Sequence, residues 1–226
     1  MIASLDVIEV LLALCLLTAA LLCLFDRHLV RACCCFGVFT LSMALAWLTL
    51  GAPWLAIAEA IIGALLTVPC FFYALGIFST NSSALPRYDH FKESLTRGMT
   101  RTLLALAWCV MVGTVIRFVL PAMVYSPLEH PLLFVGVVIV ATAMGAFAWH
   151  RHLLRRLLAF NVMGSGVFLL LAGMAGTSVQ GQAFITIGLV VAWLGSLLSA
   201  LLIRTLYLRE GPAALLGASE PQESKQ

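Results

Sequence analysis

The sequence predicts an all-α integral membrane protein of about seven transmembrane helices, N-terminus outside and C-terminus cytoplasmic. Three observations carry that prediction. Of 226 residues, 62% are apolar and only 10% charged, whereas soluble domains carry about 25% charged residues. The apolar residues gather into seven runs, and about 18 or more consecutive residues with few charges read as a spanning helix. The basic residues fall in alternate breaks between those runs, as the positive-inside rule requires.

The runs lie at about 7–25, 32–50, 55–78, 102–121, 132–149, 157–175 and 183–205. Within lipid every backbone N–H and C=O needs an internal partner, so each run is a helix. The first lacks a basic leader and a small-residue cleavage site, so it is expected to be a retained helix and not a signal peptide. Arg27 and Arg31 follow it, and the next break, Gly51–Pro53, is uncharged. The third run is followed by Arg87, Lys92, Arg97 and Arg101, and the fourth by no basic residue around Glu129. Arg151, Arg155 and Arg156 follow the fifth, none lies in Gly176–Gly181, and Arg204, Arg209 and Lys225 close the chain. Of the 13 Lys and Arg, all but Arg117 thus fall on one side, which is expected to be the cytoplasm. The net charge of +3 reflects this orientation and gives no argument for nucleic-acid binding.

The organisation expected is a three-helix block over 1–78, a cytoplasmic linker over 79–101, and a connecting helix with an outer loop over 102–131. A second three-helix block over 132–210 and a polar, disordered tail over 211–226 complete it. In the linker, Tyr88 to Thr100 has the pattern of a short amphipathic surface helix, with Phe91 and Leu95 four apart. Trp54, Trp149 and Tyr207 near predicted boundaries read as an aromatic belt, and His150 and His152 as interfacial polar residues.

The seven cysteines, Cys15, Cys23, Cys33, Cys34, Cys35, Cys70 and Cys109, show no CxxC spacing. They read as small buried hydrophobes. The run Cys33-Cys34-Cys35 is the one candidate thiol cluster, but helix neighbours point in different directions, so no metal site is expected. No nucleotide loop, GxSxG, HExxH, quinone or haem signature is present, so neither a cofactor nor catalysis by this chain alone is expected.

Two charges lie well inside runs: Glu59 in the third and Arg117 in the fourth. Each costs a few kcal/mol in the apolar slab (~2.5–3.5 on insertion scales), so such groups face protein or water and often mark an ion path. The topology places both in the outer half, where they could pair. For Glu59, proton or cation handling stands beside a structural helix contact. For Arg117, near Pro121, snorkelling to the surface is the simpler reading. Glu59, Gly63 and Thr67 recur at intervals of four on one face, and Pro69 then removes a helix hydrogen bond. Small residues permit close helix approach, and a freed carbonyl can order water; a packing face with a kink is the alternative.

The segment Ala58-Glu59-Ala60-Ile61-Ile62-Gly63-Ala64-Leu65-Leu66-Thr67 resembles a block of Mrp-type cation/proton antiporters and membrane-bound hydrogenases. It is similar to the hydrogenase D-type subunit, also found near the C-terminal end of the large Mrp A subunit, and the resemblance covers about 1–78. The layout of 132–210 is similar to that of the Mrp C subunit and the K-type subunit of respiratory complex I. Leu154-Arg155-Arg156-Leu157-Leu158-Ala159-Phe160-Asn161-Val162-Met163 resembles the second K-type helix, and Gly181-Gln182-Ala183-Phe184-Ile185-Thr186 the start of the third. The complex I subunit carries a glutamate in each of those helices, whereas Asn161 and Ala192 occupy the matching positions here. That departure favours the Mrp-like reading and argues against a proton path through the C-terminal block.

The resemblance implies a fused membrane subunit of a multi-subunit Na+/H+ antiporter or related proton-translocating complex in a bacterial-type inner membrane. Its partners would be other membrane subunits, including large antiporter-like ones, together with the lipid bilayer, protons and, as second cation, Na+. Glu59 would carry the ion, with Gly63 and Thr67 letting helices close around it. Asn161 and Gln182 would offer neutral hydrogen bonds along a hydrated path, and Arg117 would tune charge. The only lysines, Lys92 and Lys225, lie outside the spans, so a complete lysine relay would have to come from partners. The alternative is a structural assembly subunit of a complex I-like redox-driven or inorganic-carbon uptake complex.

Overall fold

The computed structural model describes residues 2–78, 131–175 and 178–211, together with isolated positions between 99 and 118. Among the described residues six helices are long and apolar enough to cross a membrane. The chain is therefore an all-helical, multi-pass membrane protein. The expected fourth span at about 102–121, the linker with its surface helix, Cys109 and the tail lie largely or wholly outside the described residues.

Helix α1 (Ile2–Phe25) and helix α2 (Leu29–Thr49) form a tight hairpin. Asp26 closes the turn by accepting the His28 backbone N–H at 2.9 Å and binding the Arg31 guanidinium at 2.9 and 3.0 Å. His28 is the N-cap of α2, its Nδ1 accepting from the Arg31 backbone N–H at 3.4 Å. The Arg31 hydrogen bond holds the Asp26 carboxyl below the usual carboxylate range.

At the far end of α2, Gly51 adopts φ 73°. The bonds from Ala52 N–H to Trp47 C=O and from Gly51 N–H to Leu48 C=O complete a Schellman cap. Pro53 then opens the third span at the position where a missing N–H costs nothing. That span is α3 (Pro53–Glu59), a π-helical segment π1 (Ala60–Thr67) and α4 (Val68–Leu75). The wide π turn lies directly before Pro69, whose ring would meet the carbonyl four residues back in a regular α-helix. The span ends in a second Schellman cap at Gly76, φ 75°.

Helices α5 (Pro131–Trp149) and α6 (Leu153–Ala175) make the second hairpin, and α7 (Val179–Glu210) closes the fold. Glycines let α5 and α6 approach closely. A Cβ at Gly166 would lie 2.9 Å from Val140 and 3.3 Å from the Gly136 carbonyl oxygen, and one at Gly173 would collide with Leu133. Helix α2 sits centrally, burying Phe36, Phe39, Met43 and Trp47, with Phe36 and Phe71 in edge contact at 5.1 Å.

Helices from the two ends of the sequence pack on one another, α1 against α5 and the third span against α7. The seams are fastened by arginines that sequence reasoning had left at the surface. Arg155, 4% exposed, donates to the Asp26 carbonyl at 2.6 Å, and His150 Nε2 donates to the Leu24 carbonyl at 2.9 Å. These are cations and donors at the C-terminal end of α1, where unpaired carbonyls accumulate. Arg204, 6% exposed, lies against Gly76 so closely that a Cβ there would collide with its guanidinium. His150, expected as an interfacial polar residue, thus contributes to this seam, and His152, expected likewise, is buried. The reason is tertiary: the α5–α6 turn lies where the last carbonyls of α1 need donors.

Cys23, Cys33 and Cys70 are buried as expected of small hydrophobes, whereas Cys15 and Cys34 face outward. Within the cysteine run, Cys33 points inward, Cys34 outward and Cys35 between, the divergence that a helix imposes on neighbours.

Candidate ion-path site

Glu59 is 1% exposed, and its Oε2 has no hydrogen-bond partner among the described residues. It closes α3, and the π turn begins immediately after it. Gly63 follows beneath the carboxyl: a Cβ there would stand 2.8 Å from Glu59 Oε1 and 3.1 Å from Thr40 of α2. Any side chain at 63 would therefore displace the carboxyl or part α2 from the third span. Thr67 is buried too, its hydroxyl donating to the Ile62 carbonyl at 2.6 Å, a bond spanning five residues. The three residues expected on one face are brought to one cavity.

That cavity, about 140 Å³, lies between the third span, α6 and α7, with Phe36 of α2 contributing. The third span lines it with Glu59, Ile62, Gly63 and Thr67; α6 with Asn161, Gly164 and Ser165 between Phe160 and Phe168; and α7 with Leu189, Ala192 and Trp193. Its volume suits several waters, and the carboxyl, hydroxyl and amide groups supply the polar partners that ordered waters need. Asn161 and Ala192, expected in two separate C-terminal helices, face this same space as Glu59. Asn161 is held firmly, its Nδ2 donating to the Leu157 carbonyl at 2.9 Å and its Oδ1 accepting from Ser196 at 2.8 Å. Ser196, fully buried, also lies 2.8 Å from the Ala192 carbonyl.

Gln182 does not line the cavity. It lies in the first turn of α7, seven residues before Leu189, which is about 10 Å along the helix. Arg117 and any pairing with Glu59 lie outside the described residues. Sequence reasoning missed Ser165 and Ser196. The signal for Ser165 was its place four residues from Asn161 in an apolar run, and Ser196 stands four from Ala192.

The fold and the site define a multi-pass helical membrane protein with, among the described residues, one acid buried at a largely apolar cavity where three helices meet. Residues 14–79, which include Glu59 and the π turn, match the model of the MbhD family, the D-type subunit of MBH. No curated protein and no solved structure matches the chain.

Proposed function

We propose that this chain is a membrane subunit of an Mrp-type Na+/H+ antiporter or related MBH-type proton-translocating complex, with Glu59 as its ion-carrying group. The observation that carries the reading is the enclosed Glu59 carboxyl, unpartnered at Oε2, inside the segment similar to the MbhD family. A carboxyl kept solely to pin helices would be expected to engage a donor, because an unsatisfied buried polar atom costs about 1–3 kcal/mol. Here the free oxygen adjoins a space that can hold water or a cation. Asn161, Ser165 and Thr67 line it as neutral hydrogen-bonding groups, while Gly63 keeps the approach to the carboxyl open. The lysine and glutamate relay beyond this cavity belongs to partner subunits, and Gln182, about 10 Å along α7 from Leu189, offers a further neutral hydrogen-bonding group.

Replacing Glu59 with Gln keeps the shape and removes the exchangeable charge. The complex should assemble and lose exchange, measured as cation-driven pH change in inverted vesicles. Normal exchange with Gln at 59 would overturn the assignment.

A second reading has one specific support, the MBH description of the matched segment. In it the same chain serves a redox-driven complex and links it to the membrane. Mass spectrometry of co-purifying chains separates the two: redox subunits favour the second, antiporter-like subunits alone the first.

A further inference from the structure

A second cavity opens beside the first, nearer the basic end of the helices, and the ion-path reading does not use it. It is a groove of about 330 Å³ between α6 and α7, closed at one side by Phe147 of α5. Leu153, Leu157, Leu202 and Leu206 form its apolar walls, and Arg156 stands among them. The lining spans eight residues on each helix, 153 to 160 and 199 to 206, which is about 10 Å of length. Apart from Arg156 and Ser199 its lining is wholly apolar, which suits a hydrocarbon chain.

The groove also carries a cation. Arg156 lies over the Phe147 ring at 4.5 Å, and no acidic side chain pairs with it among the described residues. Its neighbour Arg155 is by contrast engaged on the carbonyls at the end of α1. Arg209, exposed, continues the groove face of α7 one turn beyond Leu206. An apolar groove with a cation in its lining, at the end of the helices where the positive-inside rule places the cytoplasmic leaflet, complements an anionic lipid.

We infer that this groove binds one acyl chain of an anionic phospholipid, with its phosphate on Arg156. The apolar length of the slot selects a lipid over free phosphate, and the guanidinium selects an anionic headgroup over a zwitterionic one.

The test is native mass spectrometry of the complex containing the full chain. The complex is equilibrated with vesicles of equal parts phosphatidylglycerol and phosphatidylcholine carrying the same acyl chains. The wild type should retain phosphatidylglycerol about fivefold over phosphatidylcholine, the ratio that one interfacial cation supplies. Arg156→Gln should bring the ratio to about one, Arg156→Lys should preserve most of it, and Leu202→Trp, which fills the slot, should lower retention of both lipids. Equal retention of the two lipids by the wild type would overturn the inference without recourse to any variant. So would an unchanged ratio in Arg156→Gln, or unchanged retention in Leu202→Trp. Absence of bound lipid from the assembled complex would show a neighbouring subunit in the groove and overturn it equally.

Discussion

Glu59 is confined by what lies under it. Gly63 leaves no spare volume between the carboxyl and Thr40, so Gly63→Ala should act on the ion path before it acts on the fold. Overpacking of this kind costs about 1–3 kcal/mol. The expected outcome is a complex that still assembles, with a lowered melting temperature and exchange reduced at least severalfold. Exchange at the wild-type rate would show that the carboxyl tolerates displacement and does not act from this position. Asp26 offers a test of a different kind, outside the membrane spans. Its carboxyl is held below the usual carboxylate range by Arg31, so its contribution is complete above that range and is lost as pH falls through the folded-state value. A pair with so exposed an arginine is worth about 1 kcal/mol or less. The melting temperatures of wild type and Asp26→Asn should therefore differ slightly at neutral pH and converge in acid; a difference that persists below the carboxylate range would contradict the assignment.

Among the helices, the third span shows how local chemistry and packing combine. Pro69 forbids one backbone hydrogen bond, and the wide turn over Ala60–Thr67 absorbs the interruption while the span stays continuous. The sequence signalled a break there, yet the form of the break was not legible. A kink and a π turn answer the same missing donor, and the neighbouring α2 and α7 decide between them. The spans themselves were legible, because long apolar runs leave little choice in lipid. Their ends were less so: α6 begins at Leu153 and not near 157, with Arg155 in its first turn donating to the end of α1. Glu59, Gly63 and Thr67 were readable as one face. The junction of that face with Asn161 was not, because it depends on contacts made a hundred residues away. The seam makes a prediction at this scale. Arg155→Met should expose the α1 carbonyls to an apolar neighbour and destabilise the protein by about 1.5–3 kcal/mol, the range for a hydrogen bond to a charged group. Thermal denaturation in detergent measures it, and an unchanged midpoint would mean that the cap contributes nothing.

For the whole molecule, the two seams fix relative direction. Arg155 and His150 meet the end of α1, and Arg204 meets the end of the third span, so these termini share one face of the bundle. The third span therefore ends on the basic face, whereas α5, whose C-terminal end lies on that face, begins on the other. This is the parity that a fourth crossing between them requires. Reporter fusions after Gly76 and just before Pro131 should accordingly report opposite sides of the membrane, with the former cytoplasmic; the same side for both would break the topology. The packing also unites the segment similar to the MbhD family with the C-terminal hairpin and α7 around one cavity. The residues that line this cavity are thus drawn from both ends of the chain.

The measurement that bears most directly on this account is cation/proton exchange per assembled complex for Glu59→Gln against wild type, with assembly quantified in the same vesicles by co-purifying subunits. Full assembly is expected, with exchange at the background of vesicles lacking the complex. Wild-type exchange per complex would contradict it, and so would a loss of complex that leaves the exchange of each surviving complex intact, which would make Glu59 a pin between helices.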